Sequence, residues 1–447
     1  MLTRRQWLGA AAASTAAAQT RKPNIVLIVA DDLGYAELGC TGDPSIHSPN
    51  IDAIAAEGVR FTDFCVSWPA CTPSRSSILT GRYAQRNGLY EMIRNNEVNY
   101  KHVFTEDEYA VSPEMTLGLD TRETTIGQAM KSGGYRTGAI GKWDSGRAKR
   151  YLPLQRGFDF FYGFANTGID YFNHERYGVP SMFRGNERVK EEGHATDLFQ
   201  REAVRFIRDS GDRPFFLYLP FNAPHGASTF DKSAPQETPK YLDRFKGDKR
   251  QQFKAWVAHL DDAVGAVTKQ VRDQGLDRDT LVIFTSDNGG TGKSNGPLRG
   301  GKGRLFEGGY RVPMIARWPG RIPAGRVFNE FASTLELLPT FCAASGTAPP
   351  RVKLDGFNLL PVLEGKAKSG RSEMFWQAKR DKAARSGPWK WIEASYGKGL
   401  FDLSKDPGET RDLSSEKPDV LASMRAKWSA WRKEMDDSEP RGPFRDY

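Results

Sequence analysis

The chain has 447 residues, which sets an expectation of two to three domains, or of one large α/β domain with an appendage, and excludes a small stapled fold. Hydrophobic residues make up 38%, charged residues 27% and aromatics 11%, with 45 Gly and 26 Pro; this is the composition of a loop-rich soluble globule, not of a disordered or collagenous chain. Lys and Arg outnumber Asp and Glu by 64 to 55, a formal net charge of +9 that favours anionic ligands, yet the basic residues are interspersed with acids and no nucleic-acid recognition module is visible.

Residues 1–18, MLTRRQWLGAAAASTAAA, combine a paired-arginine start, a modest Ala-rich stretch and the small-residue ending Ala16-Ala17-Ala18. This pattern predicts a cleaved export signal, and Arg4-Arg5 before Gln6-Trp7-Leu8 resembles the twin-arginine address. Its removal takes two positive charges and leaves +7. No later run reaches the ~18 apolar residues of a membrane span, so the expectation is a periplasmic or secreted protein without a membrane anchor.

Buried strands are predicted where short apolar runs flow into polar clusters. Residues 25–30 lead into Asp31-Asp32, residues 137–140 into Gly141-Lys142-Trp143, residues 215–219 into Asn222-Ala-Pro-His225, and residues 281–284 into Asp287-Asn288. Helices are predicted at 50–57 before Gly58, at 125–131 before Gly133, and over 253–271, where Phe253, Trp256, Val257, Leu260, Val264, Val267 and Val271 recur at helical spacing before Gly275. Strands alternating with helices imply an α/β fold with a large, mostly parallel sheet covered on both faces. In such sheets ligands collect outside the carboxyl ends of the strands, which here carry Asp31, Asp32, Lys142, His225, Asp287 and Asn288. Beyond the connector Thr347-Ala-Pro-Pro350 the pattern changes to short aromatic segments such as 389–392 and a late amphipathic helix bearing Leu421, Met424, Trp428 and Trp431. The predicted division is a main domain over 19–345 and a smaller α+β domain over 346–447 packed on it.

Asp31, Asp32, Asp287 and Asn288 offer hard oxygen donors without thiolate or imidazole, a set suited to calcium or magnesium rather than zinc. Three neighbouring carboxylates repel one another unless a cation neutralises them. The four cysteines, Cys40, Cys65, Cys71 and Cys342, form no Cys-x-x-Cys pair, so stability rests on core burial; buried thiols are expected, with a disulfide among Cys40, Cys65 and Cys342 as the alternative.

The segment Cys71-Thr72-Pro73-Ser74-Arg75, continuing to Thr80-Gly81-Arg82, resembles the signature of the type I sulfatases, in which a Cys or Ser opening a C/S-x-P-x-R motif is oxidised to formylglycine. The likeness extends through Asp31-Asp32-Leu-Gly34, Gly134-Tyr135-Arg136, Ala223-Pro-His225, Ser286-Asp-Asn-Gly289, Leu298-Arg-Gly-Gly-Lys302-Gly303 and Asp406-Pro-Gly-Glu409. It implies an alkaline-phosphatase-like fold and an enzyme that hydrolyses sulfuric esters. By matching position it implies one calcium ion held by Asp31, Asp32, Asp287 and Asn288, with an oxygen of modified Cys71 beside it. The aldehyde hydrate at Cys71 would attack sulfur through one hydroxyl and release sulfate through the other, which an ordinary alcohol cannot do. The resemblance further implies that Arg75 orients the hydrate, that Lys142 and Lys302 neutralise sulfuryl oxygens, and that His225 or Lys302 protonates the leaving group. It also implies a formylglycine-generating enzyme as maturation partner and, with export and positive charge, a sulfated polysaccharide as substrate, its specificity set by loops 83–120, 162–195 and 226–250.

One departure stands out. The family commonly reads Gly-Lys-Trp-His, whereas this chain reads Gly141-Lys142-Trp143-Asp144, so a carboxylate replaces the imidazole that usually contacts the hydrate. Two roles stay open for Asp144: it accepts a hydrogen bond from the hydrate and acts as a base, or it adds negative charge that weakens sulfate binding. His174 falls where such enzymes often carry a substrate-facing loop. Two other readings are a formylglycine-dependent phosphonate or phosphoester hydrolase and an inactive glycan-binding relative, the latter motivated by Asp144.

Overall fold

The computed structural model describes residues 21–93, 118–291 and 295–438; the expected export signal and positions 94–117 of the first specificity loop lie outside the described residues. The main sheet has ten strands. In chain order they are β1 (Asn24–Ala30), β2 (Val59–Phe61), β3 (Arg136–Lys142), β4 (Phe160–Phe164), β5 (Met182–Arg184), β6 (Glu187–Arg188), β7 (Phe215–Pro220), β8 (Thr280–Ser286), β9 (Met314–Arg317) and β10 (Arg326–Phe328). They lie side by side as β10-β2-β9-β8-β1-β7-β3-β4-β5-β6. The central run β8-β1-β7-β3-β4 is parallel, while β9 and β5 join it antiparallel from either side.

Both faces of the sheet are covered, which is why the central strands read as unbroken apolar runs. Ile25, Leu27 and Val29 of β1 enter one core and Val26, Ile28 and Ala30 the other. The second core is closed by α1 (Pro49–Ala56), α4 (Ala195–Arg208) and α5 (Gln251–Asp273), the first by α2 (Cys71–Thr80), α3 (Ile126–Ser132) and α6 (Leu337–Ser345). Helices α1, α3 and α5 fall within about two residues of their sequence expectations. Three helices, α2, α4 and α6, carry no sequence expectation. In α2 every residue is buried and six of the ten are polar, so no apolar stripe marks it.

A four-stranded antiparallel sheet follows, β11 (Glu373–Ala378), β12 (Asp381–Ser386), β13 (Trp389–Ala394) and β14 (Gly397–Asp402), covered by α7 (Pro418–Ser438). Met374, Trp376, Trp391 and Leu400 belong to the same apolar cluster as Phe61, Phe64 and Leu338, so the two sheets share one continuous core. The Trp376 indole N–H reaches the Val66 carbonyl at 2.9 Å, and Lys390 ties Glu409 at 2.8 Å to Glu307 at 3.6 Å. On α7, Met424, Trp428, Trp431 and Met435 are buried, while Leu421 is only partly so. Among the described residues no helix is long and apolar enough to cross a membrane. All four cysteines are free thiols, which removes the disulfide alternative.

Candidate active site

Parallel register assembles the site. Ala30 lies opposite Ser286, so Asp31 and Asp287 leave adjacent strands together, and the Asp31 N–H donates to the Ala223 carbonyl at 3.1 Å on the loop after β7. Asp32 turns into a left-handed conformation (φ 65°) and donates its N–H to Asp287 Oδ1 at 3.1 Å. Gly141 (φ 117°) precedes Lys142; a Cβ there would lie 1.9 Å from the Pro220 carbonyl oxygen, so only glycine lets the end of β3 pass β7 this closely.

Helix α2 delivers Cys71 as its first residue, where unpaired backbone N–H groups favour negative charge. The helix ends on Gly81 (φ 66°), whose N–H closes on Ser77 at 2.8 Å; this explains the glycine in Thr80-Gly81-Arg82 as a left-handed cap. The Cys71 thiol is 1% exposed, 3.6 Å from Asp31 Oδ1 and 3.9 Å from Asp32 Oδ1, and it accepts a hydrogen bond from Lys302 Nζ at 3.0 Å. Burial pushes its pKa well up, against the pull of Lys142 and Lys302.

Charges interleave around it. Lys142 Nζ donates to both oxygens of Asp31, at 2.9 and 2.8 Å. Arg75 bridges Asp287 (Nε 2.9 Å, Nη2 2.7 Å) and Asp31 (3.3 Å), and Lys302 Nζ meets Asp32 Oδ1 at 2.6 Å. Burial raises the Asp31 pKa to about 7, with Lys142 opposing and Asp287 reinforcing. For Asp32 burial works upward, yet Lys302, His225 and Lys142 prevail and hold it well below the usual carboxylate range. Asn288 donates from Nδ2 to Asp32 at 2.8 Å and to the Gly289 carbonyl at 2.9 Å, while its Oδ1, wholly buried, has no hydrogen-bond partner among the described residues. An orphaned carbonyl oxygen beside three carboxylates is the donor set of a hard cation site, and the residues present fit calcium.

Asp144 lies between Thr72 and Lys142. Its Oδ1 accepts the Thr72 hydroxyl at 2.8 Å, and its Oδ2 lies 3.7 Å from Lys142 Nζ without a hydrogen bond among the described residues. No hydrogen bond joins it to Cys71 among the described residues; it braces the residue next to Cys71 instead. Burial, ahead of the opposing Lys142 and Arg75, raises its pKa.

His225 points Nε2 toward Asp32 Oδ2 at 3.8 Å and holds the Gly226 carbonyl through Nδ1 at 2.6 Å. Burial lowers its pKa to about 3 against the pull of Asp32, so the ring is neutral near pH 7. His174 is buried, and its Nε2 sits 2.9 Å from the Gly193 carbonyl. Sequence reasoning missed Thr72 and Tyr171. The Tyr171 hydroxyl is placed to donate to the His225 carbonyl at 2.9 Å or the Asn222 carbonyl at 3.2 Å, bracing the loop that carries His225. Neither residue stands in a pattern that marks it; only the fold brings each to its partner.

A family model described as Sulfatase matches residues 23–347, and one described as N-sulphoglucosamine sulphohydrolase, C-terminal, matches residues 301–434. The chain is 34% identical to the N-acetylgalactosamine-6-sulfatase of Canis lupus familiaris, over 92% of this chain and 85% of that one. It is also 34% identical to the arylsulfatase A of Homo sapiens, over 91% and 87%. The solved structure of Ps i-CgsB in complex with k-i-k-neocarrahexaose superposes with a TM-score of 0.81 at 32% identity, covering 92% of each chain. Together with the alkaline-phosphatase-like sheet, these likenesses establish that the chain belongs to the sulfatase family and hydrolyses sulfate esters.

Proposed function

We propose that this protein removes sulfate from a sulfated carbohydrate, using formylglycine made from Cys71 and one calcium ion held by Asp31, Asp32, Asp287 and Asn288 beside position 71. The observation that carries this reading is the Cys71 thiol itself: buried at the first turn of α2, it lies 3.0 Å from the Lys302 ammonium, 3.6 Å from the Asp31 carboxylate and 3.9 Å from that of Asp32. When present, the formylglycine hydrate supplies the nucleophilic hydroxyl and calcium supplies positive charge for the sulfate oxygens.

The protein's own groups do the rest. Four carboxylates (Asp31, Asp32, Asp144, Asp287) face three cations (Arg75, Lys142, Lys302) in the described site, so a divalent ion turns the balance to one positive charge, the complement of a sulfate monoester anion. Lys142 and Lys302 stabilise sulfuryl oxygens as charge shifts to the leaving group, and Arg75, locked by Asp287, fixes the side chain at 71. Lys302, which carries a proton and is partly open to solvent, protonates the leaving oxygen, and neutral His225, whose Nδ1–H is held by the Gly226 carbonyl, accepts a hydrogen bond at Nε2 from the departing hydroxyl. Asp144 positions Cys71 through Thr72.

Residues 71–75 are all buried, so the maturation enzyme meets Cys71 before the chain folds; for a protein exported folded, that step precedes export to the periplasm. Mass spectrometry of the Cys71 peptide from the native host, paired with sulfate release by wild type and Cys71→Ala, tests the proposal. The expected result is a formylglycine mass, turnover by wild type and none by the variant. Comparable sulfate release by Cys71→Ala refutes it.

A further inference from the structure

Phe230 is the most exposed of the large apolar side chains among the described residues, at 73%. It is not isolated. Its ring lies 5.2 Å from that of Tyr177 at an interplanar angle of 53°, and two cations flank the pair, the Arg176 guanidinium 5.9 Å and the Lys232 ammonium 5.8 Å from the Tyr177 ring.

The cluster is built onto the active-site loop. Tyr177 sits at the tip of a small hairpin, Glu175–Arg176 against Val179–Pro180, in a left-handed conformation (φ 48°) uncommon for an aromatic residue. Its N–H donates to the Ser228 carbonyl at 2.9 Å, and Ser228 in turn donates its N–H to the Ile169 carbonyl at 3.1 Å. Gly168, next in the chain to Ile169, lies against both ends: a Cβ there would come 3.2 Å from His225 Cε1 and 2.6 Å from Ser228 Oγ. Lys232 bends back onto the Ala227 carbonyl at 3.3 Å. Phe230 is five positions beyond His225, so their Cα atoms are at most about 18 Å apart.

An exposed Phe230 backed by a half-buried Tyr177, beside two cations and wired to the residue that faces the leaving group, matches one kind of ligand. A pyranose offers an apolar C–H face to an aromatic ring, and its sulfate or carboxylate substituents offer anions to Arg and Lys. Rigid aromatic side chains make such contacts at low entropic cost. We propose that Tyr177 and Phe230, with Arg176 and Lys232, form a platform that binds an anionic sugar ring of the glycan beyond the ring bearing the scissile sulfate. This rests on the reading of the site as a glycan sulfatase and extends it: the enzyme acts on oligomers in preference to free monosaccharides.

The test compares kcat/KM, by sulfate release, on a sulfated monosaccharide and on oligosaccharides of four or more residues built from the same sugar. Phe230→Ala and Tyr177→Ala should lower the oligosaccharide-to-monosaccharide ratio at least fivefold, through KM. Phe230→Trp should preserve it. Arg176→Gln combined with Lys232→Gln should lower the ratio and weaken its dependence on ionic strength. An unchanged ratio overturns the platform, as does a parallel loss on both substrates, which would mark a packing role. So does a change in oligomeric state of Phe230→Ala by light scattering, which would make the patch a contact between copies. A wild-type enzyme that releases no sulfate from any substrate in the panel overturns the glycan-sulfatase reading first, and the platform with it.

Discussion

Asp144 separates two mechanisms that the sequence cannot tell apart, and the geometry gives each a different signature. If Asp144 is a strut, its partner is Thr72, bonded at 2.8 Å, and the catalytic effect passes through the start of α2. Thr72→Val keeps the side-chain shape but leaves a buried carboxylate without its donor, a cost of about 1–3 kcal/mol in stability. Cys71 is the neighbouring residue, so loss of part of that positioning energy lowers kcat by roughly tenfold or less, at 1.4 kcal/mol per decade. Asp144→Asn still accepts the Thr72 hydroxyl but gives up its attraction to Lys142. At 3.7 Å and an effective dielectric of about 20 that attraction is about 4 kcal/mol before desolvation is subtracted. Lys142 stays in place because Asp31 holds it with two bonds, so the loss in kcat again stays within about tenfold. The double variant should be less impaired than the sum of the singles, since a neutral amide costs less to leave unpaired than a carboxylate, with a coupling of about 0.5–3 kcal/mol. The assay is kcat on a small aryl sulfate together with the thermal unfolding midpoint of all four proteins. If Asp144 is instead a base, Asp144→Asn loses 10²-fold or more in kcat, as for a general base, while Thr72→Val matches wild type. That pattern, with unshifted unfolding midpoints, would refute the strut.

Prolonged exposure to a strong calcium chelator should inactivate the enzyme, with calcium addition restoring activity; Asp287→Ala should lose both activity and bound metal, and full activity in protein shown metal-free by elemental analysis would contradict the site. Tyr171→Phe should lower kcat by about tenfold or less while leaving the unfolding midpoint within a degree or two, because the phenol braces the loop of His225 rather than the core; an unchanged kcat would remove it from the machinery. The stacked pair His194 and His259, ring centroids 4.5 Å apart, should set the pH profile of stability. For His259 burial opposes the proton, but hydrogen bonds to Asp197 and Glu237 prevail and raise its pKa, so its contribution is complete below pH 6.5, the ordinary value, and declines as pH rises through the elevated one. Burial, with His259 adding to it against Glu237, lowers the His194 pKa to about 4, so stability falls as pH drops from 6.5 toward 4. Unfolding midpoints against pH should therefore peak near 6.5, with His259→Gln flattening the alkaline limb and His194→Gln the acid limb; the opposite assignment of limbs would show that the charge sits on the other ring.

Much of the centre of this molecule is written locally. The strands that end in Asp31, Lys142, His225 and Asp287 are legible because residues buried on both faces of a parallel sheet must be apolar throughout, and the polar residues at their ends must then lie along one edge. The segment from Cys71 to Arg82 is legible as a motif, and its glycine acquires a physical reason as a helix cap. The sequence by itself therefore determined the α/β class, the convergence of carboxylates with cations, and the family.

Other features depend on distance along the chain and were decided only by the tertiary structure. The apolar residues of the late segment, Trp376, Trp391 and Trp428, announce a core but not whose; in the fold they complete the one beneath the first sheet, because neither sheet can bury that face alone. The pairing of Asp144 with Thr72 spans 72 positions, and that of Tyr171 with His225 spans 54; no pattern in either segment encodes them. His174, whose place in the chain suggests a substrate loop, is turned inward by a backbone carbonyl 19 residues away. Periodicity reports which face of an element is buried, but which polar group meets which is fixed only when the whole chain has chosen its register. That choice sets Asp144 against the Thr72 hydroxyl and gives Phe230 a neighbour in Tyr177.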